Sequence, residues 1–247
     1  MCKKVLTIGI VLAFVLGMSG LALAANTSTP ISFGMGNTIT HTQSGDLNLA
    51  QTIAKGFFND ATIEQANTGN KAYQTQSGMG NEAKIDQDPR PGFGPSNDNE
   101  AYQRQRGFGN TAEIIQEGLN NYAKQCQTGC GNLAYFKQTG DNNGSTHGMQ
   151  CQSGFGNEAS IDMFGSNNQT SQLQRGIRNF AQTIIDGGSN NTTTQVQIGF
   201  RNWSQITIFG KSGATVNHYQ RGIGLTQAIN VATDGQVINV TQTGFGW

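Results

Sequence analysis

Residues 105–138 read QRGFGNTAEIIQEGLNNYAKQCQTGCGNLAYFKQ, and the spacing within them decides the fold. Gln105, Gln116, Gln127 and Gln138 stand eleven residues apart; Asn110, Asn121 and Asn132 keep the same step, and Ala112, Ala123 and Ala134 follow each Asn by two. Within a unit, period-2 alternation puts Asn, Ala, a third residue and Gln on one face of an extended strand. The Gly-x-x-Asn that follows is a reversal, because Gly and Asn both accept positive φ. Each unit is therefore a short strand and a tight turn, too short and too rich in helix breakers to be a helix.

The step continues outward from this stretch. Upstream stand Gln65, Gln76 and Gln87 with Asn59, Asn70 and Asn81; downstream stand Gln152, Gln174, Gln197, Gln220 and Gln242 with Asn157, Asn179 and Asn202. Met163, Ile185, Ile208 and Val231 take the Gln place in alternate late units, and from Gln43 onward about eighteen units are readable. The third position separates them into two kinds. Ile63, Ile85, Ile114, Phe136, Ile161, Thr183, Ile206 and Ile229 occupy it in one kind; Gln74, Gln103, Gln125, Gln150, Gln172, Gln195, His218 and Val240 occupy it in the other. The turns alternate as well, one kind carrying an apolar residue after its Gly (Met79, Phe108, Cys130, Phe155, Ile177, Phe200, Ile223, Phe245). The structural repeat is thus two units, about 22 residues, giving one strand to each of two sheets. The expected fold is an all-β parallel β-solenoid, cross-β in character, of about nine coils stacked at about 4.8 Å into a rod near 40 Å long. The apolar turn residues are expected to fill the inside of their arch; the alternative is an exposed stripe along which fibres bundle.

Composition supports the same reading. The chain holds 25 Asn and 25 Gln among 247 residues, is 12% charged and 35% hydrophobic, and balances fifteen basic against fifteen acidic residues. That is too little apolar matter for a thick enzyme core and no basic excess for a nucleic-acid binder. Stacked in register, Asn and Gln donate and accept along the axis, while the Ile column supplies a dry contact worth about 1.5–3 kcal/mol per side chain. Like charges would stack on one another, and the repeat positions avoid them; Lys84 and Glu113, outward in successive coils, are expected to pair.

Boundaries follow from where the pattern fails. Lys3 and Lys4 precede an apolar run ending in Ala22-Leu23-Ala24, a secretory leader of residues 1–24. No second hydrophobic run follows, so no membrane span is expected once the leader is removed. Residues 25–41 fit the repeat poorly and read as a flexible N-terminal segment; residues 42–247 are the solenoid. One interruption, a loop insertion at 88–98, holds three of the four prolines, and a second falls in Asp141–His147.

Candidate chemistry is sparse. Cys126 and Cys151 each precede a ladder Gln in successive coils of one sheet, about 4.8 Å apart, within disulfide range; Cys126 with Cys130 is the competing pair. A zinc site on Cys126 and Cys130 would have only His147 to add and lacks a fourth ligand. Glu64 and Asp86 stack like the carboxylates of a β-helix enzyme, but Ile115 and Lys137 follow in their column. No cofactor, metal or catalytic residue is expected, and a parallel β-helix enzyme is the weakest reading. An open solenoid ends in unpaired strand edges, a template for another copy of itself; a self-capped monomer acting as a surface adhesin is the alternative.

Three segments resemble the curlin repeat of bacterial curli subunits, Gln-x-Gly-x-Gly-Asn-x-Ala-x3-Gln: Gln76 to Gln87, Gln105 to Gln116 and Gln127 to Gln138. Gln152 to Ala159 matches and then ends in Met163. The chain departs from that family in placing Asn (Asn70, Asn99, Asn121) where a leading Ser is usual, in losing the second Gln to Ile185, Ile208 and Val231, and in its larger repeat number. The resemblance implies a secreted functional amyloid, a homopolymer fibre on the bacterial surface for adhesion and biofilm matrix. It also implies export through an outer-membrane curli-type pore and seeding by a nucleator subunit.

Overall fold

The computed structural model of the chain describes residues 25–87, 96–144 and 148–246. Residues 1–24, where a leader is expected, residues 88–95 of the first insertion, 145–147 of the second and residue 247 lie outside the described residues. Among the described residues, nineteen strands alternate between two parallel sheets. Sheet A holds β1 (Thr27–Met35), β3 (Leu49–Phe57), β5 (Lys71–Met79), β7 (Glu100–Phe108), β9 (Tyr122–Cys130), β11 (Met149–Phe155), β13 (Gln169–Ile177), β15 (Thr192–Phe200), β17 (Thr215–Ile223) and β19 (Val237–Phe245). Sheet B holds β2 (Thr38–Gln43), β4 (Asp60–Gln65), β6 (Glu82–Gln87), β8 (Thr111–Glu117), β10 (Leu133–Thr139), β12 (Glu158–Ser166), β14 (Phe180–Ser189), β16 (Trp203–Phe209) and β18 (Thr226–Val231). Nine coils give one strand to each sheet, β19 adds a tenth strand to sheet A, and each strand pairs with those of the coils above and below, the β-solenoid that the two-unit repeat predicts.

Register repeats from coil to coil, with one shift in sheet B. Ala50, Ala72, Ala101 and Ala123 stack in sheet A, and Ala61, Ala83, Ala112 and Ala134 in sheet B. A one-residue slip would turn these faces outward, so the buried set fixes the pairing. The two inner faces meet in a core in which Ile63, Ile85, Ile114, Phe136, Ile161 and Ile206 are wholly buried. Where Gly187-Gly188 adds a residue, the pairing of β12 with β14 shifts between Phe164 and Ser166, and register resumes beyond.

The arch from sheet A to sheet B depends on glycine. Gly107 has φ 122°, and a Cβ there would lie 2.0 Å from the carbonyl oxygen of Gly129 in the next coil. Gly56, Gly78, Gly129, Gly154, Gly176 and Gly199 repeat this close approach, so the column has no room for any side chain.

Three expectations need correction. Residues 25–41 are not a flexible segment: β1 and β2, which span Thr27–Met35 and Thr38–Gln43, make a first coil in register with β3 and β4. They escape the repeat because Ser32 and Pro30 stand where later coils carry Gln76 and Gln74, yet Gly34-Met35-Gly36-Asn37 reproduces the arch. The expected loop 88–98 also ends early, since Asn97 already bridges Leu119. The apolar arch residues, finally, face solvent: Phe108 is 53% exposed, and Phe57, Phe155, Ile177, Ile223 and Phe245 are exposed too. Phe108 lies three residues beyond inward Gln105, and period-2 geometry sends it out with Arg104 and Arg106.

Candidate functional site: the amide ladders and the two tips

Each predicted ladder residue lies in a continuous column. In sheet A, Gln76, Gln105, Gln127, Gln152, Gln174, Gln197, Gln220 and Gln242 are joined side chain to side chain, each Nε2 donating to the next Oε1 at 2.7–3.0 Å. In sheet B, Gln43, Gln65, Gln87, Gln116 and Gln138 do the same at 2.7–2.9 Å, after which Met163 and Ile185 continue the column as apolar contacts. These amides also tie the sheets together: Gln105 Nε2 donates to the Glu82 carbonyl across the core at 2.7 Å, and Gln127 Nε2 to that of Thr111 at 2.8 Å. Buried amides so satisfied escape the penalty of an unpaired polar group.

The turn Asn residues build two further columns. Asn59, Asn81, Asn110, Asn132, Asn157, Asn179 and Asn202 continue from Asn37 with Nδ2 to Oδ1 distances of 2.9–3.1 Å. In the opposite arch, Asn70 and Asn121 belong to a series from Asn26 to Asn191 in which each Oδ1 accepts the next coil's backbone N–H at 2.9–3.0 Å. One ladder was not assigned in advance: Gln74, Gln103, Gln125, Gln150, Gln172 and Gln195 form a second column in sheet A at 2.7–3.0 Å. Its signal was present in the alternating third position.

The ladders end in particular ways. Gln76 Oε1 is buried without a donor because the next place holds Ala54. Gln195 Nε2 turns to Ser204 Oγ at 3.0 Å, since His218 stands in the following place. His218 Nδ1 pairs with that same Ser204 hydroxyl. His41, at the other tip, is held between Ser28 Oγ and Thr52 Oγ1, both at 2.8 Å. Burial lowers the pKa of both imidazoles to about 4.

Cys126 and Cys151 are bonded, with Cα atoms 4.6 Å apart, while Cys130 is a free thiol in the exposed arch column. The bond joins the fifth and sixth coils across the second insertion, and closing a loop of that length stabilises the fold by about 3–4 kcal/mol. Lys84 Nζ lies 3.2 Å from Glu64 and 3.5 Å from Asp86; although Glu113 stands beside it in register, these two carboxylates form its ion pairs. Among the described residues no group of three His, Cys, Asp or Glu side chains is placed to hold a metal ion, and no helix is long and apolar enough to cross a membrane.

Charge is divided between the faces. The strands of sheet A carry Lys55, Lys71, Arg104, Arg106, Lys124, Arg175 and Arg221 against the single acid Glu100. Those of sheet B carry Asp60, Glu64, Glu82, Asp86, Glu113, Glu117, Glu158, Asp162 and Asp186 against Lys84 and Lys137. Arg178 and Arg201 add to the basic side in the arch after sheet A; Asp46, Asp98, Asp141 and Asp234 outnumber Lys211 in the other arch.

A family model, the Curlin associated repeat, matches residues 59–88, the segment from Asn59 through the end of β6. No curated protein and no solved structure matches the chain significantly.

Proposed function

We propose, from the curlin associated repeat at residues 59–88, that this chain is a curli-type amyloid subunit that is secreted and polymerises head to tail into an extracellular fibre. Adhesion and biofilm matrix are the roles such a fibre serves. The curlin repeat is a structural module, which agrees with a chain whose ordered groups are ladders rather than a catalytic constellation. One observation carries the reading: among the described residues β1 and β2 are the outermost strands at one end, β19 and β18 at the other, and each is paired on one side only. Stacking β1 of one copy on β19 of another continues sheet A and brings Gly244 over Gly34 and Phe245 over Met35, as within the rod. Export through an outer-membrane pore and seeding by a nucleator belong to the same proposal.

The test is microscopy and diffraction of purified chain lacking residues 1–24, after a day at neutral pH. Fibres with a reflection at about 4.7–4.8 Å along the axis are expected. A preparation that stays monodisperse, as short rods about 43 Å long, overturns the reading in favour of a monomeric adhesin.

A further inference from the structure

The chain as a whole is neutral on paper, but its fold sorts the charges by alternate strand. Sheet A has seven basic residues and one acid; sheet B has nine acids and two bases. On sheet A, Lys55, Arg106, Arg175 and Arg221 occupy one exposed column. On sheet B, Asp60, Glu82, Glu158, Asp162 and Asp186 are exposed. The rod therefore has a positive side and a negative side, at right angles to the direction of axial growth.

We infer that the two sheet faces are a docking pair: sheet A of one copy packs laterally on sheet B of another, so that rods associate side by side in a fixed polarity. The occupant of each face is a second copy of this chain, because the complement of each face is present on the same molecule. Like faces repel, so A on A and B on B are disfavoured, and charge complementarity selects the partner face. The contact is heterologous and leaves one face of each kind free, so it propagates instead of stopping at a dimer. Size permits it: sheet B offers about 850 Å², close to the ~800 Å² per partner of a standard interface. Stacked aromatic pairs lie on both faces, Tyr73 on Tyr102 at 4.7 Å in sheet A and Phe180 on Trp203 at 6.1 Å in sheet B, giving apolar area within the charged field. The inference concerns the sides of the rod and does not depend on the tips growing.

The experiment measures width separately from length. Full mature chain is imaged by negative stain, and its light scattering followed, at about 20 mM and about 500 mM salt, where the screening length falls from about 20 Å to about 4 Å. Bundles at low salt that disperse into single-width rods or filaments at high salt are expected. The variant R104E/R106E/R175E brings sheet A to zero net charge, and E82K/E158K/D162K nearly neutralises sheet B. Each alone should stay at single width in low salt with its axial diffraction unchanged, which shows that the coil still folds. Mixing the two should restore association, limited to pairs, because only one matched set of faces remains. Bundling that ignores salt, variants that bundle like the parent, or a mixture that stays at single width would each overturn the inference. Capture of polyphosphate by sheet A, with no salt-dependent association of the parent chain, would overturn it in favour of an anionic polymer.

Discussion

At the scale of single residues, the ladders are informative where they break. Gln76 Oε1 has no donor because Ala54 stands in the next place, and an unsatisfied buried acceptor costs about 1–3 kcal/mol. Ala54→Gln should extend the column by one coil and raise the thermal midpoint by a few degrees; a fall would mean the first coils are too closely packed to admit the amide. Two histidines, His218 buried and His41 half-buried, act through their protonation. Each has a pKa lowered to about 4 by burial, against an ordinary value of 6.5, so the unfolded chain binds more protons between those values. Stability is full above about pH 6.5 and declines as the pH falls from there towards 4. Melting curves across that range should show the fall, and His218→Gln, which installs the residue its column otherwise carries, should reduce it. The ladder amides were legible in the sequence because an eleven-residue step leaves a mark that needs no knowledge of the fold. The broken places were not, since only the register shows which neighbour is missing.

At the scale of strand and arch, orientation decides cost. Ile114 in β8 is wholly buried while Thr111 at the start of the same strand is half-exposed. Ile114→Lys leaves an uncompensated buried charge and should cost about 3–5 kcal/mol; Thr111→Lys, which stands beside Glu82 in register, should change stability by less than about 0.5 kcal/mol. Denaturant midpoints of the two variants test the faces directly, and equal shifts would invalidate the assignment of inside and outside. In the arch, Gly107→Ala drives a Cβ into the Gly129 carbonyl, whereas at Gly109, with φ 56°, a Cβ meets nothing within 4 Å. The second change should cost about 1–2 kcal/mol for the left-handed backbone alone, and the first should cost more than about 4 kcal/mol and open the coil. Parity also explains why the apolar arch residues face solvent in spite of their character. Counting from Gln105 places Phe108 outward, but apolar character argued for the inside, and geometry prevailed. A run of exposed apolar residues consequently follows the edge of the rod.

At the scale of the whole molecule, the ends and sides differ in kind. The backbone N–H of Thr27 donates to Asn48 at 2.8 Å. Alternation along a parallel strand then aims the nitrogen of Pro30, three residues on, away from the solenoid. Pro30 thus withdraws one donor from the layer that would receive another copy. Pro30→Thr should restore it, and a net 0.5–1.5 kcal/mol per hydrogen bond predicts a critical concentration for growth about 2- to 12-fold lower, read from soluble chain remaining at the plateau. An unchanged plateau would mean that this layer does not take part in elongation. The overall architecture was readable before any coordinates, because two independent alternations, at the third position and in the turns, demanded two sheets. The first coil was hidden, since Ser32 and Pro30 replace the amides that mark the others. The opposed charges of the faces were hidden for a different reason: counted along the chain they cancel, and they separate only when alternate strands are assigned to different sheets.

The bond between Cys126 and Cys151 has a mechanical meaning. A fibre under tension yields by unspooling layers one after another, and among the described residues every axial link between strands is non-covalent save that one. Peeling begun at either end meets a covalent rivet at mid-height, where the chain between the two sulfurs cannot pay out. A reducing environment would remove that stop, so the same filament would be tougher when oxidised than when reduced without any change in its outline.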